Sequence, residues 1–223
     1  MSPRKPSRGR AKAAVFDASR DAPSITALAR ARGVTLDEAQ RSSLASYATL
    51  VATWTLRVDL VATRGARELV ELLFLDALVL AGSGWIPDGA RVIDVGAGGG
   101  APTIPLALLR PDLRARLVEP RQKRGAFLRS ACASLGLLER VTIEQARIEA
   151  DAADADVGEL DLALSRATFA PEVWVPLGLR LAPRCVALLG SADWSDEVRA
   201  PVDARDYAVP SSGATRRALL FER

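Results

Sequence analysis

The sequence predicts an α/β fold: a helical N-terminal region, then a mostly parallel seven-stranded sheet that closes on an antiparallel hairpin. Three observations carry this. From Arg91 onward, short apolar runs alternate with helical stretches, which implies a parallel sheet with helices on both faces. Upstream of Arg91, apolar residues recur at helical rather than strand spacing. The last two apolar runs are separated only by "SSGA", as a hairpin requires. With 223 residues, 49% of them hydrophobic, the chain has ample material for a buried core.

In chain order, residues 1–22 read as a basic tail, 23–85 as a helical region and 86–223 as the α/β domain. The tail cations Arg4, Lys5, Arg8, Arg10 and Lys12 exceed the net charge of +3 by themselves and leave the rest of the chain at −2. Such a tail is either solvated chain or an arm that seeks phosphates. Gly33 is placed to stop the first helix, and Thr35 with Glu38 forms a capping box for the second. In the second helix Leu44, Tyr47, Leu50, Val51, Trp54 and Val58 form a core stripe. A third helix, roughly 67–81, is apolar on most faces yet carries Asp76. The strands are then "RVIDV", "RARLVE", "RVTIEQ", "LDLALS", "RCVALLG", "ARDYAVP" and "TRRALLFE", with no internal repeat. No apolar run is long enough to span a membrane, and "MSPRKPSRGRAK" lacks a secretory apolar block, so a soluble cytoplasmic protein is expected. Cys132 and Cys185 sit in apolar surroundings without metal-type spacing and are expected as reduced core thiols, with no metal. The chain has no histidine, so imidazole is excluded as base, nucleophile or ligand.

The segment "DVGAGGGAPTIPLAL" holds the first strand's end, a glycine loop and the start of a helix. Gly96, Gly98, Gly99 and Gly100 let backbone approach a ligand where a Cβ would obstruct it. Pro102 and Pro105 fall in the first helical turn, where a missing amide hydrogen matters little. The relaxed dinucleotide pattern is also satisfied, but three details favour S-adenosylmethionine. Asp94, two residues before the first glycine, suits the charged amino-acid portion and sulfonium better than a pyrophosphate. The loop lies mid-chain, between a helical region and a sheet closed by a hairpin. Glu119 ends the second strand about 20 residues beyond the loop, where it can accept from both ribose hydroxyls. For each acid a purely structural role also stands: Asp94 capping the next helix, Glu119 pairing with Arg121 or Lys123.

From about Ile25 to the C-terminus the chain resembles the RsmG/GidB family of bacterial methyltransferases, which modify N7 of a guanine in small-subunit (16S) ribosomal RNA. The resemblance rests on "LARARGVTLDEAQRSSLASYATLVATW", "LLFLDAL", "DVGAGGGAPTIPLAL", "LVEPRQKRGAFLR", "ARIEA" and "LSRAT". It implies the class I S-adenosylmethionine-dependent methyltransferase (Rossmann-like) fold, S-adenosyl-L-methionine as cofactor, and ribosomal RNA or the small ribosomal subunit as partner. It also places Ala146 and Arg147 in the loop that commonly holds adenine, and Lys123 and Arg124 in family positions. Leu72, Leu73 and Leu189 stand where the family has Arg, His and Lys, Asp59 replaces an asparagine and Thr103 a glycine. Fewer cations predict weaker phosphate affinity. A diverged enzyme acting on another RNA or a small molecule, or a non-catalytic S-adenosylmethionine-binding protein, is the alternative.

Methylation of guanine N7 removes no proton before attack, so it needs alignment more than a base, and positioning alone is worth ~7–11 kcal/mol. A histidine-free enzyme suits that chemistry. Cytosine C5 methylation normally needs a cysteine nucleophile after a proline, and Cys185 follows Arg184. Amino-group methylation typically uses an Asn/Asp-Pro-Pro-aromatic element where this chain has "SRATFAP". The expected site is therefore catalytic Arg166, reaching guanine O6 or a phosphate; cofactor-binding Asp94, Gly96, Ala97, Gly98, Gly100, Glu119, Ala146, Arg147 and Arg166; and substrate-binding Lys123 and Arg124. Arg166 bonded only to local carbonyls or Asp76, and a merely solvated Lys123 and Arg124, are the other readings. Oligomeric state is open, with a monomer favoured.

Overall fold

The computed structural model describes residues 16–149, 159–190 and 199–223. The tail cations from Arg4 to Lys12 lie outside the described residues. α1 (Ala18–Ala31) begins within the segment read as tail: Asp17 caps it by accepting from the amides of Ser19 and Arg20, and Phe16 is buried just ahead. Gly33 ends it in the left-handed region at φ +73°, with the amides of Gly33 and Val34 returning to the carbonyls of Arg30 and Ala29.

The capping box of α2 (Glu38–Thr55) forms two residues later than expected. Asp37, not Thr35, is the cap. Its Oδ1 accepts from the Gln40 amide at 2.7 Å, and Gln40 Oε1 accepts from the Asp37 amide at 3.1 Å. Both tetrapeptides fit the capping pattern, but an ionised carboxylate is the stronger acceptor at the positive end of a helix. Leu44, Tyr47 and Val51 are buried, with Leu50, Trp54 and Val58 packed against them. Trp54 meets Phe127 edge-on at 5.5 Å. α3 (Ala66–Ala81) buries nearly its whole circumference, Asp76 included.

The sheet then builds as β1 (Arg91–Val95), α4 (Thr103–Leu109), β2 (Arg114–Val118), α5 (Gln122–Ser134), β3 (Val141–Glu144), β4 (Leu162–Arg166), α6 (Pro171–Leu181), β5 (Arg184–Leu189), β6 (Asp203–Ala208) and β7 (Thr215–Glu222). The spatial order is β3-β2-β1-β4-β5-β7-β6, parallel except where β7 pairs with β5 and β6. This is the mostly parallel seven-stranded sheet with a terminal antiparallel hairpin that the pattern predicts. The strands alternate between two cores. Val92, Leu117 and Leu164 face α1 to α5, while Ile93, Val118 and Ala163 face α6. Each fully buried Val, Leu or Ile side chain contributes about 1.5–3 kcal/mol. Cys132 and Cys185 are free and buried; burial pushes the Cys132 thiol up to about 12 and raises Cys185 as well, so both are inert. Among the described residues no helix is long and apolar enough to cross a membrane. Strand order reverses between β1 and β4, and at that point ligands bind in open α/β sheets.

Candidate active site

At the switch point, β1 runs into the glycine loop. The amides of Gly96 and Ala97 both donate to the Val118 carbonyl, at 2.8 and 3.1 Å, which anchors the loop to the end of β2. Gly96 lies at φ +79°, and a Cβ there would come within 2.1 Å of Thr168 Oγ1. Only glycine allows that contact. Gly98 differs: at φ +57° its Cβ would meet nothing nearer than 3.8 Å, so that side of the loop is open. Gly100 instead packs inward on Ile104 and Leu128. From behind, the Tyr47 hydroxyl donates to the Gly99 carbonyl at 2.7 Å, so α2 fixes the loop's shape.

Glu119, 3% exposed, follows β2. Its Oε2 accepts from the Gly98 amide at 2.9 Å and its Oε1 from the Arg121 amide at 2.8 Å. The side-chain pairing with Arg121 or Lys123 does not form; Arg121 contributes only its amide. A carboxylate offers about four lone-pair sites, so acceptor capacity remains on the cleft side. The cleft itself, about 350 Å³, is walled by Gly96, Val118, Glu119, Arg124, Arg147, Ile148 and the β4 exit residues Ala167, Thr168 and Phe169.

Asp94 lies beneath this cleft rather than on its wall. It is 2% exposed, and Thr103 Oγ1 donates to its Oδ2 at 2.6 Å. Thus it grips the first residue of α4 through a side chain, not a backbone amide. Burial holds its carboxyl up to about 7, with Thr103 and the Arg166 charge pulling downward and Glu119 pushing upward.

Arg166 ends β4. Its Nη1 donates to the Leu72 carbonyl at 2.8 Å and to Asp76 Oδ2 at 3.0 Å, while Arg216 Nη1 and the Tyr207 hydroxyl both reach Asp76 Oδ1 at 3.0 Å. One buried carboxylate therefore ties α3 to β4 and to both strands of the hairpin. Among the described residues Nε and Nη2 of Arg166 make no hydrogen bond, and its side chain is 24% exposed. Arg124 is held at the cleft by the Asp59 carbonyl at 2.9 Å, whereas Lys123 is exposed on α5. Ala146 packs against the α6-side core, and Arg147 stands exposed at the rim, 3.8 Å from Glu149.

Of the three leucines standing where the resemblance implies Arg, His and Lys, only Leu72 is near open space. Leu73 and Leu189 are 1% and 8% exposed and belong to the two cores. Sequence reasoning missed the β4 exit: Ala167 at φ +55°, Thr168 against Gly96, and Phe169 stacked on Trp174 at 6.1 Å. The only local signal is the aromatic in "SRATFAP", which does not by itself indicate a cleft wall. Among the described residues no group of His, Cys, Asp and Glu is arranged to hold a metal.

The glycine loop with a clear outer side, the buried acid at the end of β2 and the apolar and aromatic wall fit a nucleoside with a charged tail. Comparison with known proteins agrees. The family model described as rRNA small subunit methyltransferase G matches residues 40–184. A ribosomal RNA small subunit methyltransferase G from Anaeromyxobacter dehalogenans (strain 2CP-C) is 36% identical over 221 residues, covering 91% of this chain and 99% of the relative. The one from Myxococcus xanthus is 31% identical over 93% of this chain and 100% of the relative. Among solved structures, a precorrin-6Y C5,15-methyltransferase from Geobacter metallireducens GS-15 superposes with a TM-score of 0.50 at 14% identity, over 66% of this chain and 87% of that one; that likeness concerns the fold alone.

Proposed function

The chain belongs to the rRNA small subunit methyltransferase G family, and on that premise we propose that it transfers a methyl group from S-adenosylmethionine to N7 of a guanine in 16S ribosomal RNA. When bound, the cofactor supplies an electrophilic methyl group on a sulfonium. The remaining work is positioning by this chain's own residues.

The observation that carries the reading is the 2.9 Å bond that joins Glu119, on the wall of the cleft, to Gly98 of the glycine loop. It fixes a carboxylate beside bare backbone, the donor and acceptor set that a ribose and an amino-acid tail require. In this reading Glu119 accepts from the ribose hydroxyls, and the open backbone of Gly96 to Gly98 passes the tail. Ile148 and Phe169 supply apolar wall for the adenine, with Ala146 and Arg147 shaping the strand exit below it. Asp94, buried beneath the cleft and held by Thr103, supplies negative charge toward the amino end when ionised, a form that a bound cationic tail favours. Arg166, anchored through Nη1 to α3, keeps Nε and Nη2 for guanine O6 or a neighbouring phosphate. It thereby aligns N7, whose lone pair attacks without any proton being removed first. Lys123, exposed beside the cleft, adds a phosphate contact.

The experiment is mass mapping of N7-methylguanine in 16S ribosomal RNA after incubating small subunits from unmodified cells with the purified chain and adenosylmethionine. One new N7-methylguanine is expected. Tight cofactor binding with no methylated guanine would reject the substrate assignment.

A further inference from the structure

A second cleft opens on the same end of the sheet, one strand further along. It measures about 250 Å³ and lies between the start of α3, Gly190 at the end of β5, and the turn joining β6 to β7. Arg166 separates it from the cofactor cleft: Leu72, whose carbonyl takes Arg166 Nη1, lines the second cleft, while Ala167 and Thr168, directly after Arg166, line the first. β4 and β5 are paired neighbours, and adjacent strands lie about 4.8 Å apart. The two clefts therefore open at the ends of neighbouring strands, on either side of Arg166.

The lining is chemically specific. Thr63 is 4% exposed, yet its hydroxyl has no hydrogen-bond partner among the described residues. No buried side-chain polar atom among the described residues lacks a partner, so this unpaired hydroxyl is open to the cleft and available to a bound group. Glu71 is 3% exposed and also faces this cleft; Arg67 Nε donates to its Oε1 at 3.3 Å and the Ser211 hydroxyl to its Oε2, which leaves acceptor sites unused. Glu68, three residues earlier and so on the same face of α3, accepts from the Arg64 amide. The one lining cation, Arg216, is already paired with Asp76. With Arg67 and Arg216 each already paired, the unused acceptor sites of Glu71 favour a group rich in N–H donors. A volume below the ~300–1,000 Å³ of drug-sized sites suits one planar base.

We propose that this cleft seats the methyl-accepting guanine, with the Glu71 carboxylate taking the N1–H and N2–H donors of its Watson–Crick edge and Thr63 contributing a further polar contact. The inference rests on the guanine N7 reading and deepens it. N7 and O6 lie on the other side of the purine from N2, so a base gripped by N1–H and N2–H turns its N7 edge back toward Arg166 and the cofactor cleft. The base must leave its stack to enter, as sequence-specific RNA recognition commonly requires. Adenine, which has no N1–H and no 2-amino group, would leave the buried Glu71 without those donors.

The test uses the full chain with adenosylmethionine present and two readouts. In the first, GMP and IMP, which differ only in the 2-amino group, are titrated by ligand-observed NMR against parent, Glu71→Gln and Thr63→Val. GMP is expected to bind about tenfold tighter than IMP to the parent, with the ratio collapsing in Glu71→Gln. In the second, kcat/KM on small ribosomal subunits is expected to fall about tenfold or more in Glu71→Gln, with adenosylmethionine Kd within about twofold of the parent. Thr63→Val, which keeps shape and leaves every observed hydrogen bond intact, guards against misfolding and should lower kcat/KM in the same way. Equal binding of GMP and IMP by the parent, or unchanged kcat/KM in both variants, would overturn the proposal. If the parent methylates no ribosomal RNA, the functional reading fails, and the nucleotide arm still decides whether the cleft reads guanine.

Discussion

Replacing Glu119 by glutamine probes the cofactor cleft where its geometry is tightest. The carboxylate is 3% exposed and accepts from two amides, Gly98 at 2.9 Å and Arg121 at 2.8 Å. Glutamine keeps one acceptor but turns an NH2 toward the other amide. One charge-assisted bond is lost and one buried N–H loses its partner, together about 2 kcal/mol. For a chain of this length, that lowers Tm by about 4–8 °C. The same carboxylate is the proposed acceptor for ribose, and a lost bond from a hydroxyl to a charged group is worth about 1.5–3 kcal/mol, roughly ten- to hundredfold in Kd. Scanning calorimetry gives the first quantity; isothermal titration with adenosylmethionine, below the variant's melting range, gives the second. A lowered Tm with Kd within about twofold of the parent would show that Glu119 serves only the two amides, and the ribose contact would be refuted.

Burial holds Asp94 up to about 7, against about 3.9 in an unfolded chain, so the folded state binds that proton more tightly and the group's contribution to stability declines as pH rises from about 4 to about 7, then stays level. In urea titrations the stability difference between parent and Asp94→Asn should therefore change across that window; a flat difference would contradict it. Asp76→Ala removes the acceptor shared by Arg166, Arg216 and Tyr207 and should cost about 3–5 kcal/mol in the same assay. Arg166→Ala leaves Asp76 two partners and should cost about 1–2 kcal/mol, with methyl transfer sharply reduced and adenosylmethionine Kd unchanged. Equal loss of transfer and binding would make Arg166 structural. Gly96→Ala drives a Cβ to 2.1 Å from Thr168 and should lower Tm markedly. Gly98→Ala meets only left-handed strain of about 1–2 kcal/mol, so its larger effect is expected in cofactor titration.

Local pattern made the scaffold readable. All seven strands and the stripe from Leu44 to Trp54 follow from periodicity, because burial on one face or both imposes it directly on the chain. The glycine loop and the acid ending β2 were legible for the same reason: each is defined by neighbours in sequence. What escaped depends on contacts between distant segments. Asp76 stood out as a lone acid in an apolar helix, but Tyr207 and Arg216, 131 and 140 residues away, gave no sign of converging on it. The burial of Leu73 and Leu189 was illegible for the same reason, since only the packed structure shows both side chains facing inward. Thr35 and Asp37 offered two equivalent caps, and charge decided between them.

The carboxylate of Asp76 has a temporal consequence. It is synthesised well before Arg166, Arg216 and Tyr207, and two of these belong to the hairpin that completes the sheet. A growing polypeptide therefore carries an unmatched acid in its most apolar helix until β4 brings Arg166, and its second oxygen lacks Tyr207 and Arg216 until the hairpin docks. Full satisfaction of this carboxylate thus waits for the last two strands, which ties closure of α3 over the sheet to completion of the chain.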